Sequence, residues 1–433
     1  MSQKIWIDLT DIGSWTGNFT GIQRVVYNLA YQFYENNEAN FFRYDSQTGS
    51  FYEADFATII KRFNTTTSTV HQKKTKDLTQ VILKAYTMLP YWIKLAIPKY
   101  VKLNTVKACG YINQTIKKVI SYSNHKGNVL TENTAIFGKE DIILVFGNNW
   151  DRSIFIDDLS NEKQKVGFRV YQLVYDLIPV LGPQFFGIAL FATYARYIFE
   201  TIIVSDGLFC ISKSTQKDLK SFCNKVGISS PRTCVVRLGD DLVKIKPIQP
   251  PVSTEKNFII CVGTIEVRKN HTLLYYVWKE AMLRGISLPQ LIIIGKIGWN
   301  TENIRYTLQH DPDIQNKIIV LDNVSDAELE WFYENCLFSV YPSMYEGWGL
   351  PIAESLAYGK LCLASKTSSM PEIAGDLIDY FSPYDSGECL EKINEYSTNL
   401  QKLKNKEEDI KKLYKSTPWS TTYKEVKDFI GIK

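Results

Sequence analysis

Apolar runs of four to seven residues alternate with amphipathic stretches along most of the chain. In IQRVVYNLAYQFY, Ile22, Val25, Val26, Leu29 and Phe33 fall on one stripe at helical spacing, and the run KIWIDLT and the loop DIGSWTGNFTG come before it. DIILVFGNN, FRVYQLVYDLI, GLFCIS and CVVRLG read as further strands. In the second half, strands are expected from Phe258 to Gly263, in LIIIGKIGWN, in KIIVLDN and from Leu337 to Ser343. Each is followed by polar residues or by helical periodicity, as at Leu273, Leu274, Val277 and Trp278, at Leu329, Phe332 and Tyr333, and at Leu350, Ala353 and Ala357. Strands alternating with helices imply parallel sheets, so each half is predicted to be doubly wound, with ligands at the carboxyl ends of its strands. The pattern breaks at KIKPIQPPVSTEKN, where Pro247, Pro250 and Pro251 mark a linker. The expected division is a first domain over 1–248, a second over 249–414, and a terminal segment over 415–433.

The richest local chemistry lies in YPSMYEGWGLPIAESLAYGK. Gly347 and Gly349 permit a tight turn into the helix that begins near Leu350. A helix start offers free N–H donors and the positive end of the macrodipole, so a phosphate at Gly349 to Pro351 would be held largely by backbone. Glu354, one turn in, could then reach a diol beside that phosphate, while Glu346 is left to face whatever the phosphate carries. The plain alternative is a strand, a turn and a helix with two solvated carboxylates. VGTIEVRKN adds two adjacent cations, Arg268 and Lys269, at a strand end with Gly263 and Thr264, a pattern that suits any anion or a solvated basic turn. Ser325 and Glu328 form a capping box, which explains the turn from Asp322 to Ser325 by itself. Glu372 lies near another short helix start in TSSMPEIAGD.

YEGWGLPIAESLAYG resembles the donor-site signature of the retaining GT-B glycosyltransferases of family four, and VGTIEVRKN is similar to the phosphate-contacting loop of that family. The resemblance covers nearly all of the second domain. In the first domain it is confined to the loop with Gly17 and Gly21 and to VYDLIP around Asp176. It implies two Rossmann-like domains facing a cleft, a C-terminal helix that packs back on the N-terminal domain, and a nucleotide-sugar donor used without metal or cofactor. By that resemblance the donor is bound by Gly17, Gly21, Gly263, Thr264, Arg268, Lys269, Lys296, Asn323, Val324, Glu346, Gly347, Trp348, Gly349, Leu350 and Glu354. Glu346, Asp176, Lys269 and Arg268 are the implied catalytic residues, and Arg24 and Asp176 face the acceptor. Two positions depart from the family pattern: Thr264 stands where other members carry arginine, and Tyr175 where many carry histidine. The branch with VGTIEVRKN and GKIGW looks most like O-antigen and capsule transferases that often use GDP-mannose. Retention and a departing phosphate that helps to take the acceptor proton follow from the resemblance alone. UDP- and dTDP-sugars stay open as donors.

Composition sets the remaining bounds. At 433 residues the chain exceeds one ordinary core, which favours two domains of roughly 200 residues. The formal net charge is only +4, yet Leu78 to Thr131 contains no Asp or Glu and carries Lys84, Lys94, Lys99, Lys102, Lys107, Lys117, Lys118 and Lys126 among tyrosines, Trp92 and aliphatic residues. That mixture suits an anionic membrane surface and predicts peripheral attachment to the inner face of the plasma membrane, where a lipid-linked acceptor would lie; an ordinary helical insertion is the alternative. No nucleic-acid recognition motif accompanies the basic segment. Scattered Cys and His argue against zinc and for a reducing, cytoplasmic setting, and no N-terminal run reads as a secretion signal. GxGxxG is missing, which counts against a nicotinamide enzyme. A nucleotide-sugar epimerase of the same fold and a non-catalytic subunit of a polysaccharide assembly complex are the competing readings.

Overall fold

The computed structural model describes residues 3–13, 15, 21–66, 133–152, 154–241, 246–252 and 254–432. Gly17 and the basic segment 78–131 lie outside these residues. Among the described residues the chain forms two open sheets. The first runs β3-β2-β1-β4-β5-β6-β7, with β1 Ile5–Asp8, β2 Asn40–Asp45, β3 Ser50–Glu53, β4 Ile142–Val145, β5 Arg169–Val174, β6 Gly207–Cys210 and β7 Arg232–Val235. Only the β2–β3 pair is antiparallel. The second sheet is parallel throughout in the order β10-β9-β8-β11-β12-β13. Its strands are β8 Phe258–Val262, β9 Gln290–Ile294, β10 Ile318–Leu321, β11 Ser339–Tyr341, β12 Cys362–Ser365 and β13 Tyr380–Phe381. Central strands such as IILV of β4 and QLIII of β9 are buried on both faces, as sheets sandwiched between helices require.

Among the described residues, helices that bear on the site include α1 Ile22–Glu35, α2 Lys213–Val226, α3 Asp326–Asn335, α4 Leu350–Ala357 and α5 Trp419–Ile430. The predicted stripe of α1 is the face it buries, through Val25, Val26, Leu29 and Phe33 together with Ala30. Helix α5 lies against that helix: Tyr423 packs edge-on to Phe33 at 4.8 Å, and Lys427 pairs with Glu38 at 2.6 Å. The carboxy-terminal segment is thus anchored on the N-terminal sheet. Residues 246–252 pass between the sheets without helix or strand.

The strand read from Leu337 to Ser343 is shorter than expected, because only Ser339–Tyr341 forms ladder pairs. Pro342 has no N–H to extend the ladder, and the chain turns away toward the site at that point.

Candidate functional site

Two loops at the carboxyl ends of the adjacent strands β8 and β11 build the centre of the site. They are sewn together by backbone and side chain: Met344 N donates to Arg268 O at 2.8 Å, and the Asn270 amide donates to Pro342 O at 3.1 Å and Pro383 O at 2.8 Å. This arrangement aims Arg268 and Lys269 at Glu346. Arg268 Nη1 lies 2.5 Å from Glu346 Oε2, and Lys269 Nζ lies 2.7 Å from Oε1. The Tyr341 hydroxyl donates to the same Oε1 at 2.9 Å and accepts from Lys269 at 2.7 Å. On its far side Arg268 Nη2 is held by Glu266 at 2.6 Å.

Burial alone would push the Glu346 carboxyl up. Arg268 and then Lys269 outweigh it and bring the group to about 2. Burial raises Glu266, with Arg268 only partly offsetting. Two cations and two carboxylates therefore make a formally neutral, buried cluster. Such a cluster tolerates burial only because each charge is paired and hydrogen-bonded. Arg268 still has a buried Nε–H with no hydrogen-bond partner.

The N-terminal domain closes on this cluster from the end of β5. Asp176 is half-buried there; desolvation raises its carboxyl, and Arg268 pulls the other way. Gly347 packs directly on the Tyr175–Asp176 backbone, and a Cβ at this glycine would overlap the Tyr175 carbonyl oxygen and stand 3.0 Å from Asp176 Cβ. Nearby, Tyr345 donates to Asp218 at 2.6 Å. Glu372, in the first turn of the short helix Met370–Ala374, places both carboxylate oxygens on the first amides of α2, those of Lys213 and Ser214, each at 2.8 Å. A carboxylate at a helix start is favoured by the free N–H groups and the macrodipole. Trp299 donates to Phe185 O at 2.9 Å farther along the cleft.

Beyond Gly347 the chain enters α4. Gly349 takes φ +140°, a backbone region that side chains rarely adopt, and Ile352 N closes the first turn onto its carbonyl at 2.9 Å. Since Pro351 carries no amide hydrogen, the amides of Gly349 and Leu350 are the donors this turn can offer an anion. Glu354 follows one turn in, with its two oxygens on different partners: Tyr333 donates to Oε2 at 3.0 Å, and Arg24 Nη1 reaches Oε1 at 3.4 Å from the other domain. Gly21, Arg24, Leu238, Leu350, Glu354 and Trp419 line the crevice at this point.

The predicted residues Arg268, Lys269, Glu346, Gly347 and Asp176 thus come together, with Gly263 beside the Lys269 side chain. Arg24, Gly21, Leu350 and Glu354 share the neighbouring crevice. Thr264 lies against Gly298 through its methyl group. Lys296 is exposed, and its carbonyl accepts from Ile265 at 2.8 Å. Asn323 is exposed with its amide on Asp322, and Val324 packs against the cluster around Phe258 and Phe332. Trp348 is buried beneath the Arg237 guanidinium, 5.7 Å from the ring. Sequence reasoning had no role for Glu266 or Tyr341, and it placed Tyr333 only on a packing face. The short spacing from Glu266 to Arg268 was the one available signal for the first of these.

With this geometry established, the comparisons with known proteins are specific. The chain has the α/β GT-B architecture: the crystal structure of Anabaena Alr3699/HepE in complex with UDP and glucose covers 99% of this chain and 100% of its own at TM-score 0.58 and 12% identity. Residues 244–413, which hold the β8 and β11 loops and α4, match the family model described as Glycosyl transferases group 1. The serotype-specific mannosyltransferase WbdA of Escherichia coli is 24% identical over 302 residues, 65% of this chain and 36% of that protein. The O-antigen chain mannosyltransferase B of Escherichia coli is 31% identical over 121 residues, 28% of this chain and 32% of that one. The chain spans roughly a third of the length of these curated relatives, 36% and 32%.

Proposed function

We propose that the chain is a retaining hexosyltransferase that moves a mannosyl group from GDP-mannose to a growing, lipid-linked polysaccharide acceptor without a metal. The observation that carries this reading is the Arg268–Lys269–Glu346 cluster at the start of α4, facing Asp176 across the cleft within the segment that matches the group 1 glycosyltransferase model. The mannosyltransferases similar to this chain support the choice of sugar.

The proposed chemistry follows from where charge develops. As the bond from the anomeric carbon to the diphosphate breaks, negative charge gathers on the departing oxygens and the sugar becomes oxocarbenium-like. The Gly349 and Leu350 amides and Lys269 are donors fixed in advance for that charge, with the Arg268 cation behind them, which stabilises the transition state more than the ground state. Glu346 stands where it can face the sugar while it holds both cations. The acceptor oxygen bonds the anomeric carbon on the face the diphosphate leaves, and its proton passes to the departing phosphate oxygen. Asp176 lies on the acceptor side, and Glu354 takes the ribose hydroxyls.

A thermal-shift panel of GDP, UDP and dTDP with their sugars tests the donor. A ligand at about 100 times its Kd adds about 2.7 kcal/mol to the native state, so GDP and GDP-mannose are expected to raise the melting midpoint where the other bases do not. A flat response to every nucleotide would remove the donor reading. Isomerised sugar formed without acceptor would favour the epimerase.

The membrane part of the proposal rests on the sequence of residues 78–131, with eight lysines and no acidic side chain. Among the described residues no helix is long and apolar enough to cross a membrane. Co-sedimentation with anionic vesicles is expected at low salt and lost at high salt. Equal recovery in the supernatant with and without vesicles would end this part.

A further inference from the structure

We propose that Tyr333 is a positioning residue for ribose: its hydroxyl fixes the Glu354 carboxylate so that both oxygens present a free lone pair to a vicinal diol. This rests on the reading of Glu354 as the ribose partner and adds the residue that makes the recognition selective.

Glu354 sits on the first turns of α4 with a side chain only 15% exposed. A carboxylate so placed would swing about its last torsion unless something held it. Tyr333 supplies the hold from α3, 21 residues earlier, with its phenol donating to Oε2 at 3.0 Å. Its own place is over-determined. The ring is 1% exposed and stacks on Tyr358 at 5.2 Å with planes 9° apart. Helix α3 is pinned at its start by the reciprocal cap between Ser325 and Glu328. Burial, then the neighbouring Glu354, pushes the Tyr333 phenol well above its ordinary value, so it stays protonated and remains a donor.

The lone-pair count then decides what the carboxylate can bind. An ionised carboxylate accepts at about four positions, two on each oxygen. Tyr333 occupies one on Oε2 and Arg24 one on Oε1, at 3.0 and 3.4 Å. One position is left on each oxygen, which matches the two O–H donors of a 2′,3′-diol. Arg24 belongs to the N-terminal domain and is 39% exposed at its side chain, so its contact depends on how the domains approach. Tyr333 belongs to the same domain as Glu354 and holds the carboxylate whatever the cleft does. Ribose recognition is thereby built into the C-terminal domain alone, and Arg24 adds to it on closure.

The test is calorimetric titration of the full chain with GDP, 2′-deoxy-GDP and 3′-deoxy-GDP, and with the matching UDP series, for wild type and Tyr333→Phe. The phenylalanine keeps the stack on Tyr358 and deletes only the hydroxyl. Wild type is expected to prefer the ribonucleotide by at least about tenfold over either deoxy analogue, the scale of a hydrogen bond to a charged group. In Tyr333→Phe that preference should shrink roughly tenfold, while affinity for the deoxy analogues changes by less than about twofold, since they never use the full diol. In a Glu354→Gln background the same substitution should leave the preference unchanged, because coupled residues do not add. A preference untouched by Tyr333→Phe, or an equal fall for ribo- and deoxynucleotides, would overturn the inference while leaving the donor reading intact. Wild type that binds GDP or UDP without discriminating the sugar overturns the Glu354 assignment and this inference together. Wild type that binds neither series removes GDP and UDP as donor nucleotides, and this inference with them. Arg24→Gln is the companion variant should Tyr333→Phe fold poorly: it must also lower the preference, by a smaller factor, and no change there counts against the lone-pair argument.

Discussion

Glu346→Ala is expected to lower the unfolding free energy by about 3–5 kcal/mol, the usual result of stranding buried charges. It should also cut sugar transfer by about 10²- to 10³-fold, the scale of losing one preorganised electrostatic contact. The reason is that one carboxylate balances two buried cations, Arg268 at 2.5 Å and Lys269 at 2.7 Å. Without it Glu266 is the carboxylate left in ion-pair contact, and it already spends an oxygen on Arg268 Nη2, while Asp176 acts on Arg268 only from across the cleft. Glu346→Gln keeps the volume but not the charge, so it separates packing from electrostatics.

The pH dependence has a definite sign. The folded-state carboxyl titrates at about 2 against an ordinary 4.5, so the folded chain favours the deprotonated form. The resulting stabilisation is fully present above about pH 4.5 and is lost as pH falls toward about 2. Denaturant midpoints of wild type and Glu346→Gln should therefore differ most at neutral pH and converge through that acid window. A gap that stays constant down to pH 3 would refute the ion-pair account.

The second large effect is expected from Gly347→Ala. This glycine does not need a left-handed backbone; it is small because the other domain lies against it. A Cβ would overlap the Tyr175 carbonyl oxygen and press on Asp176 Cβ at 3.0 Å, so the two domains must part at the point where donor and acceptor would meet. A misplacement of about 1 Å can cost on the order of 10²-fold in rate. The three atoms nearest that Cβ all belong to the N-terminal domain, so the melting midpoint should move little while transfer collapses. A variant that transfers at the wild-type rate would show that the approach of Gly347 to Tyr175 is irrelevant to turnover.

The two-sheet architecture was legible because it rests on local signals: apolar runs, helical stripes, and a proline-rich break at 247–251. The β11 turn into α4 was legible for the same reason, since its glycines and carboxylates lie within a dozen residues. What could not be read was which charges meet. Arg268 and Glu346 are 78 positions apart, and nothing periodic joins them; adjacency arises only because β8 and β11 are neighbours in the sheet. Glu372 shows the same limit. Placed by sequence beside its own helix start, it caps α2, 158 residues earlier in the chain and in the other domain. Tyr341 and Tyr333 look like core aromatics in any pattern of apolar positions, and only their hydroxyls, aimed at Glu346 and Glu354, distinguish them. Strand length failed at Pro342 because one missing amide hydrogen outweighed an otherwise apolar run.

Among the described residues the chain crosses between its halves twice, once through 246–252 and again just before α5, where Asp240 at the end of the N-terminal sheet accepts from the Tyr414 hydroxyl at 2.7 Å and from the Thr417 amide. A body tethered at one point can swivel in any direction, whereas one held at two neighbouring points swings like a door on its pins. Two such crossings restrict the swivel of one half against the other more than a single one would.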